Sequence, residues 1–147
     1  MNESPRVKVI AIESAADMER AWAIRRLVFI EEQNVPEEIE MDADDSRAFH
    51  AIATLAGVAI GCGRMLEHGA GEVKIGRMAV LREFRKKGVG AQILRFLIDS
   101  ACTRGCRKAI LHAQLTAEGF YLREGFRAVG GVFDEAGIAH RLMEREL

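Results

Sequence analysis

The residues best suited to chemistry lie at positions 82–91, in the stretch REFRKKGVGA. Four basic side chains and two glycines are followed at once by the pattern of an amphipathic helix, and an apolar, strand-like segment ends just before them at Val80. A loop that leads into a helix N-terminus presents backbone N–H groups and the positive helix end to one point, where anions bind. The spacing therefore predicts a site for a phosphate-bearing ligand.

Three types of glycine loop could bind such a ligand. A P-loop requires G-x-x-x-x-G-K-[ST], which this chain lacks. A dinucleotide fingerprint requires G-x-G-x-x-G, and here Ile93 occupies the third glycine position after Gly88 and Gly90. The pattern Arg85-x-x-Gly88-x-Gly90, after a strand and at the start of a helix, resembles the R/Q-x-x-G-x-G/A motif of the GNAT family of N-acetyltransferases.

The resemblance extends over most of the chain. Residues 114–126, QLTAEGFYLREGF, resemble the family signature N-x-x-A-x-x-x-Y-x-x-x-G-F, with Gln114 in the place of the asparagine. Residues 28–36, VFIEEQNVP, followed by Asp45 and His50, resemble a subgroup of small bacterial acetyltransferases of the ElaA and YjcF type. The chain is therefore similar to this family both in its motifs and in their order.

The resemblance implies acetyl-CoA as the cofactor and the direct transfer of its acetyl group to a primary amine in a ternary complex. In the family, the loop holds the pyrophosphate, and the end of the preceding strand binds the thioester carbonyl and the pantetheine. The cofactor-binding residues implied here are Met78, Ala79, Val80, Arg85, Lys86, Lys87, Gly88, Val89, Gly90, Ala91, Gln114 and Tyr121.

The same resemblance makes Tyr121 the acid that protonates the leaving thiolate, since an unperturbed tyrosine with a pKa of about 10 keeps its proton at neutral pH. The base is less certain by sequence, because Lys74 stands where some relatives have a glutamate. Glu72, two positions away, and His50 are the candidate bases. Glu32, His112 or a chain of waters are alternatives.

Four further residues are candidates for the substrate site. Arg25 falls on the apolar face of the first predicted helix, where it either forms a structural ion pair or lines the substrate cleft. Arg77 interrupts the central strand, which favours a polar cleft face or a pair with the acidic segment. We define the acidic segment as residues 31–45, which contain eight carboxylates and neither Lys nor Arg. It is either a solvated loop or a source of negative potential for a cationic acceptor. Glu32 and His112 complete the set.

The predicted elements give the order β-α-β-β-β-α-β-α-β-β. Strands are predicted at 7–12, 49–55, 58–66, 72–80, 108–113, 126–133 and 138–146, and helices at 16–29, 88–103 and 117–124. The fold class is α/β (α+β). The resemblance implies the GNAT fold, a mixed and mostly antiparallel sheet of about seven strands flanked by helices, with one βαβ cofactor unit. We expect residues 1–147 to form a single N-acetyltransferase domain.

Composition limits the other classes of function. The chain has 147 residues and a net charge of -1, so nothing favours bulk attraction to nucleic acid or membranes. Three cysteines without histidines at ligand spacing predict a reducing, cytoplasmic location and no metal site. The resemblance also suggests a homodimer. The alternative function is a catalytically weak acyl-CoA-binding sensor or interaction module, because the base carboxylate is missing.

Overall fold

A computed structural model describes residues 4–147, which contain one seven-stranded sheet in the order β1-β2-β3-β4-β5-β7-β6. The strands are β1 (Val7–Ala11), β2 (Phe49–Leu55), β3 (Val58–Glu67), β4 (Glu72–Val80), β5 (Lys108–Gln114), β6 (Arg127–Glu135) and β7 (Ile138–Glu146). The helices are α1 (Ala15–Arg25), α2 (Glu37–Glu40), α3 (Val89–Thr103) and α4 (Glu118–Arg123). The predicted fold class is confirmed, and every predicted strand and helix occurs in the predicted order, with α2 as an additional helix between α1 and β2.

The strand pairing also follows the prediction. β2, β3 and β4 form an antiparallel meander, and β4 pairs with β5 in parallel across the α3 connection. The parallel pairing is short, because it runs only from Glu72 with Lys108 to Ile75 with Leu111. Beyond that point β4 continues along β3, and β5 continues along β7. The sheet therefore opens between β4 and β5.

The two faces of the sheet carry different helices. Ile93, Leu94 and Leu97 of α3 are fully buried in the main core, as the period of the apolar residues predicts. On the other face, Ala21 and Ile24 of α1 pack near Cys62 of β3. The neighbouring glycines of β3 let α3 approach closely, because a Cβ at position 61 would lie 2.8 Å from Ile93 Cδ1.

The segment between α1 and β2 differs from the prediction. Ser14 caps the first helix, since its Oγ accepts a hydrogen bond from the Asp17 N–H at 3.1 Å. It then continues as a π-helix, Arg26–Glu32, which occupies the end of the predicted helix. After Pro36, the region predicted as a loop forms α2 and a short 3-10 helix, Ala43–Ser46.

Candidate active site

A cavity of about 780 Å³ lies at the opening between β4 and β5. Met78, Ala79 and Val80 line it from β4, Gln114 from the end of β5, and Tyr121 from α4. Because the pairing between the two strands has already ended, the backbone groups of β4 that point toward β5 have no strand partner there. These groups can bind a ligand that lies in the opening.

A β-bulge at Arg77 shapes the wall formed by β4. Cys62 pairs with Ala79 and Arg64 with Gly76, so three steps on β4 match only two on β3. Arg77 is the extra residue and has a φ of 51°, a conformation that side-chain-bearing residues rarely adopt. Its guanidinium lies 3.2 Å from Glu40 Oε2 and 3.0 Å from Asp42 Oδ2, so it pairs with the acidic segment.

The predicted anion loop leads directly into α3. Gly88 is the N-cap residue of α3 with a φ of 82°, and no side chain caps the first turn. The leading N–H groups of a helix have no partner within the helix. They are therefore available to an anion.

Gly90 provides a test of whether a ligand fits here. Its φ is not positive, and an added Cβ would make only an ordinary contact, 3.6 Å from Phe120 Cζ. Neither backbone nor packing requires glycine, which costs about 1 kcal/mol in a helix relative to alanine. A ligand that passes close to this backbone explains a small residue at this position, where the motif has glycine or alanine, so the loop fits a phosphate-bearing group.

Arg85, which lines the cavity, also makes contacts within the chain. Its Nε donates to the Val80 carbonyl at 2.9 Å, and its two terminal nitrogens donate to the Glu32 carboxylate at 2.7 and 2.8 Å. The hydrogen bond with Glu32 raises the pKa of Arg85, and the hydrogen bond from Arg85 lowers the pKa of Glu32. The pair fixes the loop to β4 and to the π-helix, so Glu32 is not placed as a substrate group.

Other cations of the loop remain accessible. The side chain of Arg82 is 74% exposed, and Lys86 and Lys87 are exposed. Val89, by contrast, is buried in the core, so only its backbone can face a ligand. Residues 82, 86 and 87 thus carry the exposed basic side chains of the loop.

Tyr121 is held in an apolar setting on α4. Its ring packs edge-on against Phe120 and Phe126, with centroid distances of 4.9 and 5.8 Å, and only 8% of the residue is exposed. Burial raises the pKa of Tyr121 to about 12. Its phenol therefore keeps the proton throughout the neutral range.

Gln114, another predicted site residue, forms a contact of its own. Its Nε2 donates to Gln33 Oε1 at 2.8 Å, which joins β5 to the end of the π-helix.

A second group of side chains lines the cavity from β5, β6 and β7. His112 Nδ1 lies 2.9 Å from Glu135 Oε1, and His140 Nε2 lies 3.6 Å from Glu135 Oε2. Lys74 of β4 lines the same cavity. The sequence indicated His112 but missed Glu135 and His140. The two-residue turn at Ala136 and Gly137 was the available signal, since it sets the β6–β7 register.

The Acetyltransferase (GNAT) domain family matches residues 15–147. The chain belongs to the GNAT acetyltransferase family. This match confirms the predicted family and enzyme class, and with them acetyl-CoA, the acyl donor that the family uses.

Individual relatives agree with this placement. The uncharacterized N-acetyltransferase YjcF of Bacillus subtilis is 32% identical over 142 residues, which cover 95% of this chain and all of that protein. The crystal structure of Escherichia coli ElaA matches with a TM-score of 0.85 and 25% identity, over 96% of this chain and 100% of that one. A GNAT acetyltransferase of Elizabethkingia anophelis, solved with acetyl-CoA bound, shares the fold with a TM-score of 0.74 and 17% identity, over 96% of this chain and 98% of that one.

The predicted site residues that do not line the cavity of this GNAT domain are Arg25, Glu32, His50, Glu72 and residues 86–91 of the loop. Arg25 is 1% exposed and donates to the side chains of Glu40 and Asp45, at 2.8 Å each, so it forms the structural ion pair rather than a substrate contact. His50 is buried, with Nε2 2.8 Å from the Asp45 carbonyl, and burial lowers its pKa. Glu72 lies at the far end of β4, opposite Lys108. The structure thus does not bring His50 or Glu72 to the site as bases.

The acidic segment is largely neutralised. Six of its eight carboxylates form ion pairs with arginines. The pairs are Glu32 with Arg85, Glu37 with Arg26, Glu40 with Arg25, Asp42 with Arg64, Asp44 with Arg47, and Asp45 with Arg25. The segment is therefore a folded, paired element rather than a solvated loop, and its expected negative potential toward a cationic acceptor is offset.

Within residues 4–147, no helix is long and apolar enough to cross a membrane.

Proposed function

We propose that the whole chain is one acetyltransferase domain that binds acetyl-CoA and a primary amine together and transfers the acetyl group directly between them. The observation that carries this proposal is the opening between β4 and β5, whose β4 wall reaches Val80, next to the glycine-led N-terminus of α3: a Cβ at Gly90 would lie 3.9 Å from Val80 Cγ2. The amine belongs to a small molecule or a peptide.

Different groups of the chain would bind different parts of acetyl-CoA. The N–H groups of the first turn of α3 would hold the pyrophosphate, with Arg82, Lys86 and Lys87 as supplementary cations. Backbone groups of β4 from Met78 to Val80 would hold the pantetheine and the carbonyl oxygen. Acetyl-CoA supplies an activated acyl group, whose carbon–sulfur bond breaks as the carbon–nitrogen bond of the amide forms. An N–H group aimed at the developing oxyanion contributes about 3 kcal/mol to such a reaction.

Tyr121 would stabilise the departing sulfur. A free thiol has a pKa of about 8.5, well below the value of about 12 for this phenol, so complete proton transfer from Tyr121 to a thiolate is uphill. The phenol can still donate a hydrogen bond to the thiolate, and a hydrogen bond to a charged group contributes about 1.5–3 kcal/mol. Tyr121 is therefore a hydrogen-bond donor to the leaving group rather than a strong acid.

The second candidate function, an acyl-CoA-binding module with weak activity, has one observation in its favour. Lys74 occupies the position of the base in some relatives, and an ammonium group cannot accept a proton. This alternative predicts that acetyl-CoA binds but that no amine is acetylated. The two functions differ in turnover, not in affinity for the donor.

A panel of amines distinguishes them. Thiol release from acetyl-CoA would be measured with n-butylamine, spermidine, lysine amide, glycine and a short peptide with a free N-terminus. At least one amine should release thiol well above the rate without amine. The Gly88→Glu variant is the control, because its carboxylate would occupy the phosphate position and abolish donor binding. Binding of acetyl-CoA without turnover across the panel would favour the binding module.

Two expectations from the sequence accompany this proposal. A homodimer would give twice the mass of the 16.3 kDa chain in sedimentation equilibrium, and a monomer would contradict it. A cytoplasmic location can be checked by fractionating the source cells and detecting the chain with an antibody.

A further inference from the structure

His112 lies where β5 separates from β4. It is the first residue of β5 beyond the last pair with β4, which joins Ile75 to Leu111. The side chains of Leu111 and Ala113 enter the main core, so alternation along the strand directs His112 to the opposite face. Its side chain is 28% exposed and lines the cavity. The imidazole can therefore meet a molecule bound there.

The hydrogen bond with Glu135 fixes the form of this imidazole. Burial acts to raise the pKa of Glu135, but the hydrogen bond with His112 and the charges of His112, His140 and Lys74 together outweigh it, and the net pKa is lowered. An ionised carboxylate can only accept hydrogen bonds, so Nδ1 of His112 carries the hydrogen at 2.9 Å. In the neutral ring, Nε2 then holds a lone pair, and it has no hydrogen-bond partner within residues 4–147.

The surroundings hold the ring in this orientation. Phe133 of β6 packs edge-on against the imidazole with a centroid distance of 5.0 Å. The charged and titratable groups that act on Glu135 are His112 itself, His140 from β7 and Lys74 from β4. His140 donates Nδ1–H to the Ile138 carbonyl at 2.7 Å, so it is itself held in place near Glu135. The arrangement follows the logic of a base oriented by a carboxylate.

We propose that His112 is the general base that takes a proton from the ammonium form of the acceptor, and that Glu135 is its positioning residue. This inference rests on the function proposed above. One N–H bond of the acceptor breaks and an Nε2–H bond forms, while the amine nitrogen keeps the electron pair. The positive charge that appears on the ring is balanced by the Glu135 carboxylate 2.9 Å away. That proton then passes to water through the cavity, and the second N–H proton, which is lost as the tetrahedral species collapses to the amide, ends on the departing sulfur, since a free thiol has a pKa of about 8.5.

The first test removes the lone pair. His112→Gln should lower kcat by about 100-fold or more, in the range for general-base catalysis, with the fastest amine of the panel. Because an imidazole base is lost when it is protonated, wild-type kcat should fall toward acidic pH, and the variant should lack this fall. The Kd of acetyl-CoA, measured by calorimetry, should change less than twofold. Added imidazole should partly restore turnover in His112→Ala.

The second test reads the orientation of the ring without turnover. In ¹⁵N-histidine-labelled protein, the nitrogen shifts of His112 should indicate the Nδ1–H tautomer. Glu135→Gln should mix the tautomers of His112 and lower kcat about 10-fold. Glu135→Asp should retain more of the Nδ1–H tautomer and a higher kcat than Glu135→Gln. Glu146→Gln, at the end of β7, is the matched control and should change neither.

The outcomes separate the two proposals. If the wild type acetylates an amine and His112→Gln has the same kcat, the base assignment alone is overturned. The same holds if the kcat of His112→Gln still falls toward acidic pH as in the wild type. An Nε2–H tautomer in the wild type overturns it as well, since Nε2 would have no lone pair. Absence of turnover by the wild type with every amine overturns the proposed function, and the base assignment with it.

Discussion

Tyr121 is the one tyrosine in the chain, and it lies at the wall of the cavity. If its phenol donates a hydrogen bond to the departing thiolate, Tyr121→Phe should lower kcat by about 10- to 100-fold, which corresponds to about 1.5–3 kcal/mol. The affinity for acetyl-CoA should stay the same, because the ring and its aromatic packing are retained. Steady-state kinetics and calorimetry measure both quantities. An unchanged kcat would remove Tyr121 from the mechanism.

The charge pairs show why residue roles were only partly predictable. Arg85 belongs to a recognisable motif, but its partner Glu32 is 53 positions away and nothing local indicates the contact. Arg25 was expected either in an ion pair or in the cleft, and only the folded acidic segment decides between them. Local patterns predict which residues are unusual; the partners depend on how distant elements pack.

The ionised carboxylate of Asp42 stabilises the folded acidic segment. Its carboxylate accepts from both terminal nitrogens of Arg64, at 2.7 and 2.9 Å, and this hydrogen bonding lowers the pKa of Asp42 to about 2. A depressed pKa stabilises the folded state above the ordinary value of 3.8, and this contribution is lost as pH falls through 2. Asp42→Asn should therefore cost about 1–2 kcal/mol at pH 7, since the side chain is partly exposed.

Urea unfolding at pH 7 and pH 2 measures this effect. The difference between wild type and Asp42→Asn should shrink at the lower pH. Glu38→Gln is the matched control, because Glu38 is exposed and forms no ion pair within the part of the chain that the structure describes. A difference that stays constant with pH would show that Asp42 is not stabilised as an anion.

At the scale of elements, substitutions at Gly90 at the start of α3 should affect stability and ligand binding differently. Gly90→Ala adds a Cβ that makes only ordinary contacts and removes the helical cost of glycine, so unfolding should require about 0.5–1 kcal/mol more. If the ligand passes this backbone, a bulky anion at the same position should exclude it: Gly90→Glu should lower the affinity for acetyl-CoA by about 10-fold or more, whereas Gly90→Ala, which the family motif accepts, should leave it within about twofold. Denaturant unfolding and calorimetry check the two effects. Gln92→Ala, at an exposed position outside the motif, is the control; unchanged affinity in Gly90→Glu would contradict the loop assignment.

Patterns of apolar residues predicted the strands and the long helix well, because each has one face in the core. The bulge in β4 could not be read in this way. An extra residue appears only when two strands are paired, and Arg77 interrupts the alternation without indicating the direction of the shift. The α2 segment was missed because its buried Glu40 is held by arginines rather than by an apolar face.

On the scale of the whole molecule, the fold was predictable because the motifs of the donor site occur in a fixed order around the βαβ unit. The acceptor side was less predictable. Glu135 and His140 reach the cavity only because β7 pairs with β5, which places His140 opposite Gln114. That pairing joins distant parts of the chain, and no local pattern in either strand specifies it.

The opening also divides the sheet into two parts that four residue pairs join at β4 and β5. A donor in the opening contacts both parts, so its binding should stabilise the whole fold. At 100 times Kd, acetyl-CoA should add about 2.7 kcal/mol, which raises Tm by about 5–10 °C for a chain of this size. Differential scanning calorimetry measures the shift.

Hydrogen exchange shows where this stabilisation acts. With acetyl-CoA bound, amide exchange should slow most at residues 76–80 of β4 and 112–114 of β5, because their backbone groups face the opening, and least in β1. Gly88→Glu should abolish both the rise in Tm and the slowing, since it blocks the phosphate position. Equal protection of β1 and β4, or a Tm shift that survives in Gly88→Glu, would place the ligand elsewhere on the molecule.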